Sequence, residues 1–335
     1  MRILVTGGCG FIGHHFVEHW LKNSDADIVV LDKLTYASNG FDRLRDIEAF
    51  DDKRVTVVTS DFSKPLTEGV IREIGKVDYI FHMGAETHVD KSIDDPEPFV
   101  IANVLGTMHM LNYARGMYGL KTFFYFSTDE VFGPALGEVR YSEWARYCSS
   151  NPYAATKAGG EELVLAYANT YGLKIVITHC MNVFGERQHP EKFIPMCIRK
   201  ILLGETITIH ANKTKTISGS RFWIHARNVA AAIGFLVNNG YWDNKFNIVG
   251  EREVSNLDMA KFIATVLGRK LDYVMVDFHS SRPGHDLRYA LDGALMHRLG
   301  WRLPLSFEQS LEKTIHWYLD NTEWLETPET KEAIR

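Results

Sequence analysis

The chain has 335 residues, 45% hydrophobic and 24% charged, with 37 Lys+Arg against 42 Asp+Glu. That length calls for a large domain with a second lobe, and that balance excludes a disordered chain. A net charge of -5 gives no general affinity for nucleic acid, so any anionic ligand must be held by a local cluster of Arg and Lys.

Residues 1–6 form a short apolar strand, followed by Gly7-Gly8-Cys9-Gly10-Phe11-Ile12-Gly13 and by helical apolar spacing over Phe11–Asn23. Strand, glycines and helix in that order make a dinucleotide fingerprint. Gly7, Gly10 and Gly13 allow a tight turn, close approach to a pyrophosphate and close helix–strand packing. The phosphates then meet the unpaired N–H groups of a helix N-terminus, with Phe11 and Ile12 in its first turn. A second strand over 27–31 ends in Asp32, about twenty residues beyond the glycines, where a carboxylate accepts ribose hydroxyls and repels a 2′-phosphate. NAD is therefore expected over NADP, although the neighbouring Lys33 softens that repulsion.

Further strands are expected at Val55–Thr59, 77–83, 122–127 and 174–180, separated by helix-length segments. The alternation specifies an α/β fold with a doubly wound parallel sheet. Asp61 closes the third strand, within reach of adenine. Residues 84–88, with Ala85, Glu86 and His88, close the fourth and face the nicotinamide half. One long helix is expected over 99–118, its methionines (Met108, Met110, Met117) serving core or subunit interface.

The fifth strand ends in Ser127-Thr128-Asp129-Glu130, and ligands of open α/β sheets bind at the carboxyl ends of strands. Two adjacent carboxylates in a partly dry site repel and drive their pKa values apart, as acid–base chemistry requires. The same pair also suits a helix N-terminus with no catalytic role. Tyr153 and Lys157, four residues apart on the next helix, share one face. A neighbouring ammonium should favour the phenolate and make Tyr153 a base. The four cysteines (Cys9, Cys148, Cys180, Cys197) have no C-x-x-C spacing and read as free thiols of a reducing compartment. With no apolar run of ~18 residues, no signal-peptide layout and no metal motif, a cytoplasmic protein without membrane or metal contacts is expected.

The motifs T-G-G-x-G-F-I-G (6–13), L-D-x-L-T-Y-A (31–37), S-T-D-E-V-F-G (127–133) and Y-x-x-x-K (153–157) resemble those of the extended short-chain dehydrogenases/reductases, and within them the nucleotide-sugar 4,6-dehydratases. Residues 190–195 and 282–290 are similar to that family's substrate-binding segments. The resemblance implies a Rossmann domain over 1–181 and 220–250, and a smaller, discontinuous α/β substrate lobe over 182–219 and 251–335. It implies NAD contacts by Thr35, Phe62, Tyr153 and Lys157 besides those above. It also implies nucleotide-sugar contacts by Glu86, His88, Thr128, Asn182, Lys192, Arg221, Arg282 and His285. A homodimer through the helices around 99–118 and 153–171 is implied too. The implied reaction begins with oxidation at C4, with Tyr153 as base, Thr128 holding the oxygen and Lys157 holding Tyr153. Glu130 then removes the C5 proton, Asp129 helps the C6 hydroxyl leave, and hydride returns to C6. Rival readings are a 4-epimerase or 5,6-dehydratase of the same superfamily and, more remotely, a non-catalytic dinucleotide-binding protein. One segment departs from the family: after Arg221 it usually continues with Asp and ends in an acidic pair, where this chain has Phe222, Arg227 and Asn228.

Overall fold

The computed structural model describes residues 1–278 and 286–327. Six apolar runs, β1 (Arg2–Thr6), β2 (Asp27–Asp32), β3 (Val55–Thr59), β4 (Tyr79–His82), β5 (Thr122–Thr128) and β6 (Ile175–Cys180), join β7 (Asn244–Ile248) in one sheet. All neighbours are parallel, in the order β7-β6-β5-β4-β1-β2-β3. The order reverses between β1 and β4, and the cleft above that switch point is where an open sheet takes its ligand. Every residue of β5 is buried, as a central strand covered by helices on both faces requires. One face packs Phe16, Phe81, Phe124 and Phe246; the other packs Leu111, Phe123, Tyr125 and Ile177.

A second core gathers Phe184, Ile198, Ile209, Ile263, Leu311 and Tyr318 from segments flanking the cleft. The helix Ala294–Arg298, within the expected lobe range, instead sends Met296 into the core of the large sheet.

The expected helix over 99–118 begins earlier, at Glu97, and ends at Gly116, where Met117 turns extended. Its middle, Ile101–Leu105, is a π-helical turn. One extra residue per turn shifts the helix face at Asn103, whose side chain is buried. Asn103 Oδ1 accepts from Glu86 N and its Nδ2 donates to Glu86 O, both at 2.9 Å, and to Thr156 Oγ1 at 3.0 Å. The loop after β4 is thereby fixed to the helix Pro152–Tyr171, which carries Tyr153 and Lys157.

Candidate active site

The glycine loop is cut to the shape of its neighbours. Gly7 has φ +71, and a Cβ there would lie 2.7 Å from Gly84 Cα; one on Gly13 would lie 2.2 Å from Gly7 O. The loop leaves room for a ligand against the first turn of Phe11–Asn23, and Gly10, Phe11 and Ile12 line the resulting cavity. Asp32 stands at its far end, buried, with Oδ2 accepting from Cys9 N at 3.0 Å and Oδ1 from Leu34 N at 2.9 Å. Burial nonetheless raises its pKa. Lys33, Thr35, Phe62 and Ala85 also line the cavity. Phe62 packs under Gly84 and Gly106. Asp61 stands apart, its Oδ1 accepting from Ser63 N at 2.9 Å.

The other end of the cavity holds the strand-end carboxylates. Beyond β5 the chain turns through the short 3-10 helix Asp129–Phe132, capped by Thr128 Oγ1, which accepts from Glu130 N. Thr128 donates its hydroxyl to Asp129 Oδ1 at 3.0 Å, while Asp129 Oδ2 is buried with no partner. Burial first, and then the charge of Glu130, push Asp129 up to about 7; Arg221 pulls the other way. Glu130 Oε2 accepts from Asn151 Nδ2 at 3.0 Å. Burial raises Glu130 as well, against that hydrogen bond and the charges of Arg221 and Lys192. The two carboxyls therefore sit in unlike surroundings, one dry and half unpartnered, the other supported.

Tyr153 shares this end of the cavity, but its expected acidification is not found. Burial raises the phenol, and the charges of Glu130 and Asp129 raise it further, while the hydrogen bond with Thr128 lowers it. Lys157 is itself buried, its Nζ 4.3 Å from the Tyr125 ring centroid, and burial brings it down to about 7. An ammonium so expensive to charge gives little help to the phenol. Glu161, one turn further along the helix, favours the charged form of Lys157.

Asn182 and Lys192 line the cavity from the lobe side, and Asn182 Oδ1 is buried without a partner. His88 caps the helix Val89–Asp94 and lies 3.7 Å from Glu191. Arg221 spends its Nη atoms on the carbonyls of Ser220, Asp286 and Leu287 and stacks on Tyr289. It therefore anchors the 286–287 segment. Arg282 and His285 lie outside the described residues. The departure near Arg221 also has a physical account. Arg227 binds Glu186 at 2.8 Å and Glu18 at 3.5 Å, and Asn228 exchanges two hydrogen bonds with the backbone of Leu305. These contacts tie the helix Ala226–Asn239 to its neighbours. Sequence reasoning missed Asn151 and Asn103. The Asn-Pro pair at 151–152 signals a helix cap, and Asn151 Oδ1 does accept from Ala154 N; nothing signals that its amide also holds Glu130.

A family model described as GDP-mannose 4,6 dehydratase matches residues 4–314. The chain is 36% identical over 351 residues to dTDP-glucose 4,6-dehydratase of Escherichia coli, covering 97% of this chain and 95% of that protein. Among solved structures it is similar to DesIV, a dTDP-glucose 4,6-dehydratase from Streptomyces venezuelae with NAD and TYD bound. The TM-score is 0.86 at 36% identity, covering 97% of this chain and 99% of that one. It is also similar to the Thermus thermophilus UDP-glucose 4-epimerase in complex with NAD, with a TM-score of 0.83 at 26% identity, covering 95% and 99%. Matched along nearly its whole length, with its Asp-Glu pair at the mouth of the parallel sheet, the chain belongs to the GDP-mannose 4,6 dehydratase family of nucleotide-sugar 4,6-dehydratases.

Proposed function

We propose that the protein is a hydro-lyase that dehydrates a nucleotide-diphospho-hexose, of the dTDP- or UDP-glucose type, to its 4-keto-6-deoxy sugar with NAD as resident coenzyme. The carrying observation is Asp129: a buried carboxyl with one oxygen unpartnered, held protonated up to about 7. Epimerisation at C4 has no use for an acid there, whereas expelling the C6 hydroxyl needs one. The glycine cradle and Asp32 support NAD in the cavity. Gly7, Gly10, Gly13 and Asp32 would hold NAD, which when bound would supply the hydride acceptor and donor for C4 and C6 and a positive charge that would favour the phenolate of Tyr153. Tyr153 removes the proton of the C4 hydroxyl while Thr128 holds that oxygen, and Lys157, one turn along the same helix and brought down to about 7 by burial, assists only in its charged form. Glu130, held by Asn151, takes the C5 proton once the 4-keto group has acidified it. Asp129 gives its proton to the departing hydroxyl.

Incubation with dTDP-glucose, UDP-glucose and GDP-mannose should yield a 4-keto-6-deoxy product from one of them. A C4 epimer formed without loss of water would overturn the reading. Asp32→Ala should narrow a preference for NAD over NADP by about tenfold, since a carboxylate repels a 2′-phosphate; titration of both cofactors checks this, and equal affinities in the unaltered protein would remove the NAD assignment. Arg282, by the family resemblance, grips the diphosphate. Arg282→Lys should then weaken substrate binding about tenfold and leave NAD binding intact, because the fork is lost and the charge kept. A destabilised protein with unchanged substrate affinity would make Arg282 structural.

We read the lobe over 182–219 and 251–335 as the nucleotide-sugar half, apart from the helix Ala294–Arg298. Val100, Ile101 and Leu105 are exposed on the helix over 97–116. Such an apolar patch supports pairing of two copies there. No helix among the described residues is long and apolar enough to cross a membrane, which is consistent with a cytoplasmic location.

A further inference from the structure

The mouth of the cofactor cavity is rimmed by three loops: the one after β2, the one after β4, and 186–192. Side chains tie each loop to the next. Lys33 Nζ lies 3.1 Å from Glu86 Oε1, with the two side chains 28% and 21% exposed. Lys91 Nζ sits 3.5 Å from the centroid of the Tyr36 ring, and Tyr36 meets His189 edge-on at 5.9 Å. Glu191 completes the ring, 3.7 Å from His88 Nε2 and 3.6 Å from His189 Nδ1.

The Lys33–Glu86 pair is held from both sides. Glu86 comes from backbone that Asn103 grips at N–H and carbonyl alike. Lys33 is flanked by Leu34, a non-glycine residue at φ +56, a left-handed conformation that an L side chain adopts only at a cost. Asp32 Oδ1 holds that turn by accepting from Leu34 N. A strained turn and a doubly bonded loop thus aim opposite charges at each other across a cavity that both side chains line. Catalysis as read above assigns this pairing no task.

We propose that Lys33 and Glu86 form a clasp across the bound dinucleotide that slows its escape, so that one NAD serves many turnovers. The proposal rests on the dehydratase reading, in which oxidised cofactor is regenerated in each cycle and never has to leave. An enzyme that exchanged its cofactor every turnover would be slowed by such a clasp.

The test is the rate at which NAD bound to the purified protein exchanges with excess isotopically labelled NAD, measured without substrate. Lys33→Ala and Glu86→Ala should each speed exchange about fivefold, the upper range for a partly exposed ion pair. The double variant should be no faster than either single, and the swap Lys33→Glu with Glu86→Lys should return the rate towards that of the unaltered protein. Raised salt should speed exchange in the unaltered protein and not in the double variant. Unchanged exchange in both singles would overturn the clasp and leave the dehydratase reading standing. Faster exchange with Lys33→Ala but not Glu86→Ala would also overturn it, making Lys33 a direct cofactor contact. A protein that binds no NAD would remove the dehydratase reading and the clasp together.

Discussion

Glu130→Gln should still oxidise the sugar at C4 and then stall before water is lost. The substitution is close to isosteric. Its amide oxygen can still accept from Asn151 Nδ2, which donates to Glu130 Oε2 at 3.0 Å, so the turn after β5 should keep its shape. What disappears is the base. Loss of one positioned acid–base group costs ~10²–10⁴-fold, so substrate should raise the absorbance of reduced cofactor and hold it there. Solvent deuterium should enter C5 of product made by the unaltered enzyme, and far more slowly with Glu130→Gln. Tyr153→Phe should abolish even the first rise in absorbance, since it removes the hydroxyl that takes the C4 proton. Normal turnover by Glu130→Gln would reduce the Asp-Glu pair to a capped strand end and favour the epimerase reading.

The sheet was legible because buried parallel strands leave continuous apolar runs, and the aromatic run within Thr122–Thr128, every residue of which is buried, reads as a strand without any partner in view. The helix over 97–116 was legible in kind and not in detail. A π-turn adds one residue to a turn, too small a change to disturb the apolar pattern, yet it places Asn103 against the loop that carries Glu86. At the site, motif spacing brought Thr128, Asp129, Glu130 and Tyr153 to one end of one cavity. Spacing says nothing of burial, which is why the sign of the electrostatic effect on Tyr153 came out opposite to the expectation from Lys157. Asn151 meets Glu130 across 21 residues, a contact created by the chain's return from the loop to the helix and invisible to any local pattern. Arg227 and Asn228 were visible as departures from a family pattern; that they tie segments together needed their partners Glu18, Glu186 and Leu305.

Asp129→Asn should make the protein more stable while slowing loss of the C6 hydroxyl. The carboxyl holds its proton up to about 7 in the folded chain, against 3.8 for the free group, because burial and Glu130 both penalise its charge. Below pH 3.8 the group is protonated folded and unfolded alike, and it takes nothing from stability. As pH rises from there towards 7, the unfolded chain gives up the proton and the folded chain keeps it, so stability falls throughout that window and then levels off. The full cost is about 4 kcal/mol, large beside the 5–15 kcal/mol that holds a typical domain together. An amide has no such proton to keep. The Asn variant should therefore unfold at higher denaturant than the unaltered protein at pH 8.5, with a clearly smaller difference at pH 5.5, cofactor saturating in both. A difference independent of pH would mean that Asp129 ionises normally, and its role as the acid would fall with that result. The predicted cost is the kind an enzyme accepts at its working site: the dry, half-unpartnered setting that makes Asp129 expensive to ionise is also what keeps its proton available for the leaving hydroxyl.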